Sequence, residues 1–419
     1  MLLGSEPEVR CPFFLILGKK LGEGLHFDTE SHVVNADAAK LVEQADLAAA
    51  RGTFSTAREL LVRAVVFDPS TVDLWLKLAT ACRAERDFEA ALSAVNHGLT
   101  IEPLHFLALL LRASLLEAAQ APDADEAYGR AWMQRPPQPL NGQLAAVTDH
   151  AEQRFRSFRE RTLQTLVNAS QGLRATLNSN EVARCDRFCS NAARVTKVYH
   201  SEPTDYHYPG LSEREFHEPS SFPWLEQLET MTDAIAREFL AVAEAENAEL
   251  VPYIQYEVTA PVRQWESLNG SRKWTAIHLI RNGHVIAANA RHCPVTMAFV
   301  AGLPQPVIKN ASPNVMFSLL AADTVIPPHT GVTNTRLVCH LPLIVPPGCR
   351  FRVGSEWREW HKGSAWVFDD TIEHEAINAS DRLRVVLIFD VWHPDLSRAE
   401  KRVVSSVIGA SEKVNVSDL

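Results

Sequence analysis

No stretch of the 419-residue chain approaches the roughly 20 consecutive apolar residues that a membrane-crossing helix requires. The apolar run near the N-terminus, Cys11-Pro12-Phe13-Phe14-Leu15-Ile16-Leu17-Gly18, is short. It lacks a basic leader and is followed by Lys19 and Lys20, a poor match to a secretory signal. The expectation is a cytoplasmic protein that does not engage a membrane. Cysteine is scarce: Cys11, Cys82, Cys185, Cys189, Cys293, Cys339 and Cys349 make an odd total of 7, unlike a disulfide scaffold. Cys185 and Cys189 lack the second pair that a zinc site needs, so they read as plain thiols. Positive charge is also in deficit. With 41 Lys and Arg against 51 Asp and Glu, the net charge is −10, which argues against a general nucleic-acid partner. A phosphate loop, a nucleophile elbow and a zinc-protease helix motif are all missing.

What remains is the composition of a chain that buries substantial cores, 46% hydrophobic and 22% charged. The first third carries a period. Pro69, Pro103 and Pro137 fall 34 residues apart, and so do Ala45, Ala79 and Ala113. Small residues recur where two antiparallel helices must approach closely, and a proline after each second helix stops it. This placement resembles tetratricopeptide repeats over residues 37–138. The third copy departs from it, with Asp125 where a small residue is expected. Such solenoids either present a groove to a peptide or simply buttress the next domain. The run Arg135-Pro136-Pro137-Gln138-Pro139 reads as a break, followed by helical periodicity to Leu173 and a linker-like stretch over 176–205.

From Val251 the texture changes to short β-prone runs between Pro, Gly and Asn, with strands expected at 315–320, 335–345, 350–353, 365–368 and 384–392. A double-stranded β-helix, the jelly-roll or cupin-like barrel, fits this spacing, as do other β-sandwiches. Two segments carry chemistry: Pro327-Pro328-His329-Thr330-Gly331-Val332-Thr333-Asn334-Thr335-Arg336 and Phe368-Asp369-Asp370-Thr371-Ile372-Glu373-His374-Glu375. Neutral imidazoles on adjacent strands suit Fe(II) and leave coordination positions open for oxygen. Taken singly, either histidine is an ordinary core or surface residue.

Together with Asp390-Val391-Trp392-His393-Pro394, Tyr208-Pro209-Gly210-Leu211 and Phe222-Pro223-Trp224-Leu225, these strings resemble the aspartyl/asparaginyl β-hydroxylase family over about residues 205–400. The resemblance implies an Fe(II)- and 2-oxoglutarate-dependent dioxygenase. His329 and His374 match its iron-binding histidines. Gly331 stands where related oxygenases carry a carboxylate ligand, an absence this family is known for. Asp369 and Asp370 are read as supporting or turn residues. Arg384 matches the arginine that holds the distal carboxylate of 2-oxoglutarate, Ser318 its hydroxyl partner, and His340 a histidine near the keto-acid end. Val338 stands where better-known members carry an arginine; Arg336, on the same strand face, is the expected substitute. Trp274 matches an aromatic at the substrate cleft, with a core role equally open. His393 reads as a structural hydrogen-bonding residue.

The organisation expected is therefore α+β and multidomain. Residues 1–36 form an extension whose order is left open, 37–138 an all-α tetratricopeptide-like solenoid and 139–204 a helical connector. Residues 205–400 form a double-stranded β-helix oxygenase domain, and 401–419 a C-terminal tail. The expected activity is hydroxylation of an unactivated carbon, by analogy the β-carbon of Asp or Asn in a protein or peptide that the repeats help present. Two alternatives stand beside it: a non-catalytic adaptor with a degenerate barrel, and a hydroxylase of lipid acyl chains.

Overall fold

The computed structural model describes residues 36–245, 249–256 and 265–411, so the N-terminal extension lies almost wholly outside the described residues. The chain divides into two compact units that meet between Thr196 and Lys197, and each is described by itself.

The first unit is helical. Its first six helices are α1 (Ala36–Ala50), α2 (Phe54–Phe67), α3 (Val72–Ala84), α4 (Phe88–Ile101), α5 (Phe106–Ala118) and α6 (Ala124–Met133). They form three consecutive hairpins, the tetratricopeptide-like pattern expected from the period. Ala45, Ala79 and Ala113 are fully buried, each on the first helix of its pair. A larger side chain there would push the hairpins apart. Pro69 and Pro103 lie just past α2 and α4 and end them.

A long helix α7 (Gly142–Arg174) packs on α6. There the departure at Asp125 finds its reason: the carboxylate accepts from Arg154 Nε at 2.6 Å and also pairs with Arg161, both on α7. Gly129 allows the same approach, because a Cβ on it would lie 2.3 Å from the Phe155 ring. The stretch read as linker-like over 176–205 instead holds a helix, α8 (Ser179–Ala192). It opens with a capping box between Asn178 and Glu181 and buries only Cys189, too thin an apolar stripe to show in the sequence.

The second unit is built on two antiparallel sheets. Its strands are β1 (Leu250–Pro252), β2 (Trp274–Arg281), β3 (His284–Val285), β4 (Val315–Leu320), β5 (Thr324–His329) and β6 (Arg336–Ile344). They continue with β7 (Cys349–Val353), β8 (Glu356–Glu359), β9 (Trp366–Phe368), β10 (His374–Asn378) and β11 (Arg384–Trp392). The larger sheet runs β1-β2-β4-β11-β6-β9, with β3 added on β2, and the smaller runs β5-β10-β7-β8.

Strand alternation divides the larger sheet into two faces. Val385, Leu387, Phe389 and Val391 of β11 join Leu337, Cys339 and Leu341 of β6 in a core shared with Ile235 and Phe239 of α9 (Thr232–Ala243). The alternate residues Val386 and Ile388 of β11, Met316 and Leu320 of β4 and Val338 of β6 join Phe351, Val353 and Ala376 of the smaller sheet in a second core. The cavity described below opens on this inner face. The segment expected as a tail begins in a helix, α10 (Arg398–Ala410), capped by Ser397 and Glu400. Its Val404 and Ile408 pack with Ile308 and Trp392, which keeps it folded.

Candidate active site

His329 ends β5, His374 begins β10, and the two are directly opposite in the ladder. Their rings approach to 4.0 Å between centroids. His329 Nδ1 bonds the Pro327 carbonyl at 2.8 Å and His374 Nδ1 the Ile372 carbonyl at 3.1 Å. A carbonyl only accepts, so each Nδ1 carries the proton and each Nε2 keeps its lone pair. Burial, and for His329 the neighbouring imidazole, favours the neutral rings: His329 falls well below the usual histidine range and His374 to about 4. Two neutral imidazoles with their distal nitrogens uncommitted fit a divalent metal ion. Among the described residues no group of three or more His, Cys, Asp or Glu side chains converges as a metal site.

The second histidine's strand is braced from behind. Arg352 on β7 pairs with Glu373 Oε1 at 2.8 Å and with Glu375, and donates to the Gly354 carbonyl at 2.6 Å. The two carboxylates flank His374 in sequence, so β10 is fixed on both sides of it.

Both histidines line a cavity of about 140 Å³ that also takes in Ser318, His340, Trp274 and Arg384. Arg384 is 2% exposed and forms no ion pair among the described residues. Its NH1 donates to the Ser318 carbonyl at 3.2 Å and to Ser318 Oγ at 3.3 Å, its guanidinium lies 4.7 Å from the Trp360 ring centre, and its Nε is buried without a hydrogen bond. Burial lowers its pKa to about 10, so it stays charged at neutral pH. A buried guanidinium in this condition calls for an anion. His340 Nδ1 is likewise buried and unbonded, and Trp274 Nε1 donates to Ser318 Oγ at 3.1 Å while its ring stacks on Tyr253 at 3.8 Å.

Arg336 does not line the cavity. Its guanidinium is taken by Asp370 Oδ2 at 3.1 Å and Asp390 Oδ1 at 3.5 Å, so its charge is already neutralised where the sequence suggested a cosubstrate anchor. Gly331 faces Asp370: a Cβ on it would lie 2.2 Å from Asp370 Oδ2. The slot left by the glycine is therefore filled by the Asp370 carboxylate. Asp370, read from the sequence as a supporting or turn residue, lines the cavity too, as do Asp390, Tyr253, Trp265 and Trp360, which were assigned no site role from the sequence. For Asp390 the signal was present, since it alternates with Arg384 and Ile388 along β11 and shares their face. His393 lies apart from the cavity, its Nε2 on the Ser212 carbonyl at 3.2 Å and its Nδ1 accepting from Asp395 N.

Residues 229–394 match the family model for Aspartyl/Asparaginyl beta-hydroxylase. Human aspartate beta-hydroxylase domain-containing protein 2 is 36% identical over 140 residues, 33% of this chain and 38% of that protein. Human aspartyl/asparaginyl beta-hydroxylase is 30% identical over 143 residues, 34% of this chain and 19% of that protein. The chain thus spans well under half the length of these relatives. Among solved structures, the first TPR of Spaghetti (RPAP3) aligns with 30% of this chain and 98% of its own, at 19% identity and a TM-score of 0.26. The segment similar to the aspartyl/asparaginyl β-hydroxylase family, residues 229–394, is thus the one that holds both site histidines with Ser318, His340 and Arg384.

Proposed function

We propose that the second unit is an Fe(II)- and 2-oxoglutarate-dependent dioxygenase of double-stranded β-helix type that hydroxylates an unactivated carbon, the β-carbon of Asp or Asn in a protein or peptide. The observation that carries this reading is the conjunction, in one cavity, of two neutral imidazoles with uncommitted Nε2 atoms and a buried guanidinium without an acid partner among the described residues. His329 and His374 would hold the metal. Bound there with 2-oxoglutarate, it supplies oxygen activation coupled to decarboxylation of the cosubstrate.

The chain's own residues do the rest. Arg384 receives the distal carboxylate, and Ser318 fixes the guanidinium from one side while the Trp360 ring lies against it. His340 offers a buried ring nitrogen on the same cavity wall, two residues along β6 from Val338. Tyr253, Trp265 and Trp274 form an aromatic wall beside His329, with Trp265 edge-on to the imidazole at 4.8 Å. This wall excludes water and orients what enters. The helical repeats would help present a peptide substrate. No helix among the described residues is long and apolar enough to cross a membrane.

The test is succinate formation from 2-oxoglutarate by purified protein under Fe(II) and oxygen, with His374→Ala alongside. Metal-dependent turnover that disappears in the variant supports the reading. Turnover equal in both proteins contradicts it.

A further inference from the structure

We infer that Arg336 is a positioning residue: with Asp390 it fixes the Asp370 carboxylate in the wall of the cavity that both histidines line, and it does not bind the cosubstrate. This rests on the metal-dependent reading above. Three observations carry it.

The first is burial and pairing. Arg336, Asp370 and Asp390 are 4%, 6% and 2% exposed. One guanidinium nitrogen reaches both acids, Asp370 Oδ2 at 3.1 Å and Asp390 Oδ1 at 3.5 Å. One positive charge between two negative ones leaves nothing to offer a third carboxylate. Val338, further along the same strand face, adds no donor.

The second is how Asp390 is held. Its Oδ2 accepts from Ser312 Oγ at 3.0 Å, Asn314 N at 2.8 Å and Asn314 Nδ2 at 3.0 Å. That leaves Oδ1 for the arginine. Asp390 stands opposite Val338 in the β11–β6 ladder, two residues from Arg336 on the same face, within diagonal reach. Arg336 is therefore set from a rigid sheet position.

The third is the state of Asp370. Its carbonyl accepts from Gly331 N at 2.6 Å, and Arg336 takes its Oδ2. Its Oδ1 is buried, has no hydrogen bond and belongs to a residue that lines the cavity. A carboxylate held by only one of its oxygens has its other oxygen aimed. The guanidinium decides which oxygen is left free in the cavity wall, and Gly331 keeps the space clear, because any Cβ there would meet Oδ2 at 2.2 Å.

The experiment titrates Co(II), a spectroscopic stand-in for Fe(II), into the full-length protein and then adds 2-oxoglutarate. It compares wild type with Arg336→Met, Arg336→Lys, Asp390→Asn and Arg384→Met. The expected result is a split. Arg336→Met shifts the visible Co(II) spectrum and weakens Co(II) binding by about tenfold, the scale typical of residues that orient metal ligands, with 2-oxoglutarate affinity unchanged. Arg336→Lys recovers part of the spectrum, and Asp390→Asn moves it the same way as Arg336→Met but less. Arg384→Met leaves the Co(II) spectrum alone and weakens 2-oxoglutarate.

Wild-type Co(II) behaviour in Arg336→Met with weakened 2-oxoglutarate would make Arg336 an anchor and overturn the inference while the functional reading stands. Should Arg336→Met fail to fold, the two milder variants decide, and wild-type spectra in both overturn it. A wild-type protein whose Co(II) binding is absent, or survives His374→Ala, removes the functional reading and the inference with it.

Discussion

At the scale of single residues, the site is made by what each side chain is denied as much as by what it touches. His329 and His374 each spend Nδ1 on a carbonyl two residues back, and so present Nε2. Arg384 is denied an acid partner among the described residues, and Arg336 is given two. Asp369, next to Asp370, shows the cost of burying acids here. Burial pushes its carboxyl up to about 7, against the pull of hydrogen bonds from Thr371 N and Oγ1. The folded protein therefore binds a proton at Asp369 that the unfolded chain releases near pH 4. The contribution is favourable below that pH and is lost as pH rises through 7, the reverse of a salt-bridged aspartate. Asp369→Asn is expected to flatten the pH dependence of stability between about pH 4 and 7, by a span on the order of 4 kcal/mol. Urea melts of both proteins across this range check it, and parallel pH profiles would refute it.

At the scale of elements, periodicity was a good guide where one element packs uniformly and a poor one where packing is local. The 34-residue recurrence of Ala45, Ala79 and Ala113 was legible because each hairpin meets its neighbour in the same way. Asp125 broke the pattern for a reason no local reading reveals, since its partners Arg154 and Arg161 lie a full helix away. The strands at 315–320, 336–344, 349–353, 366–368 and 384–392 were legible from their apolar runs. β5 was obscured by Pro327 and Pro328, which sit at the sheet edge where a missing N–H is tolerated, and β10 is short and half polar. The close fit of α6 and α7 gives a direct test. Gly129→Ala drives a methyl into the Phe155 ring and is expected to destabilise the helical unit by about 1–3 kcal/mol. Thermal melting followed at the helical circular dichroism band would show a lowered midpoint, and an unchanged one would mean that the two helices are less tightly packed than described.

At the scale of the whole chain, two units with different construction logic follow one another. The membership of the candidate site was legible from motif resemblance: strand alternation turns Ser318, His340, His374 and Arg384 to the inner face of two facing sheets, and a register shift between β5 and β10 brings His329 onto it. The fate of Arg336 was not. It depends on Asp370 and Asp390, which are remote in sequence and converge only when β6, β11 and the loop before β10 are assembled. An adaptor with a degenerate barrel would have no use for a buried guanidinium without an acid partner among the described residues beside two uncommitted imidazole lone pairs, which is why an enzyme is proposed.

In the proposed function these groups hold Fe(II) and 2-oxoglutarate together. The most direct measurement is anaerobic loading of the apo protein with Fe(II) and then 2-oxoglutarate, followed by visible absorption. The wild type is expected to show a weak charge-transfer band that is lost in His329→Ala and needs much more 2-oxoglutarate in Arg384→Met. A folded, metal-loaded wild type that shows no band on adding 2-oxoglutarate would contradict it.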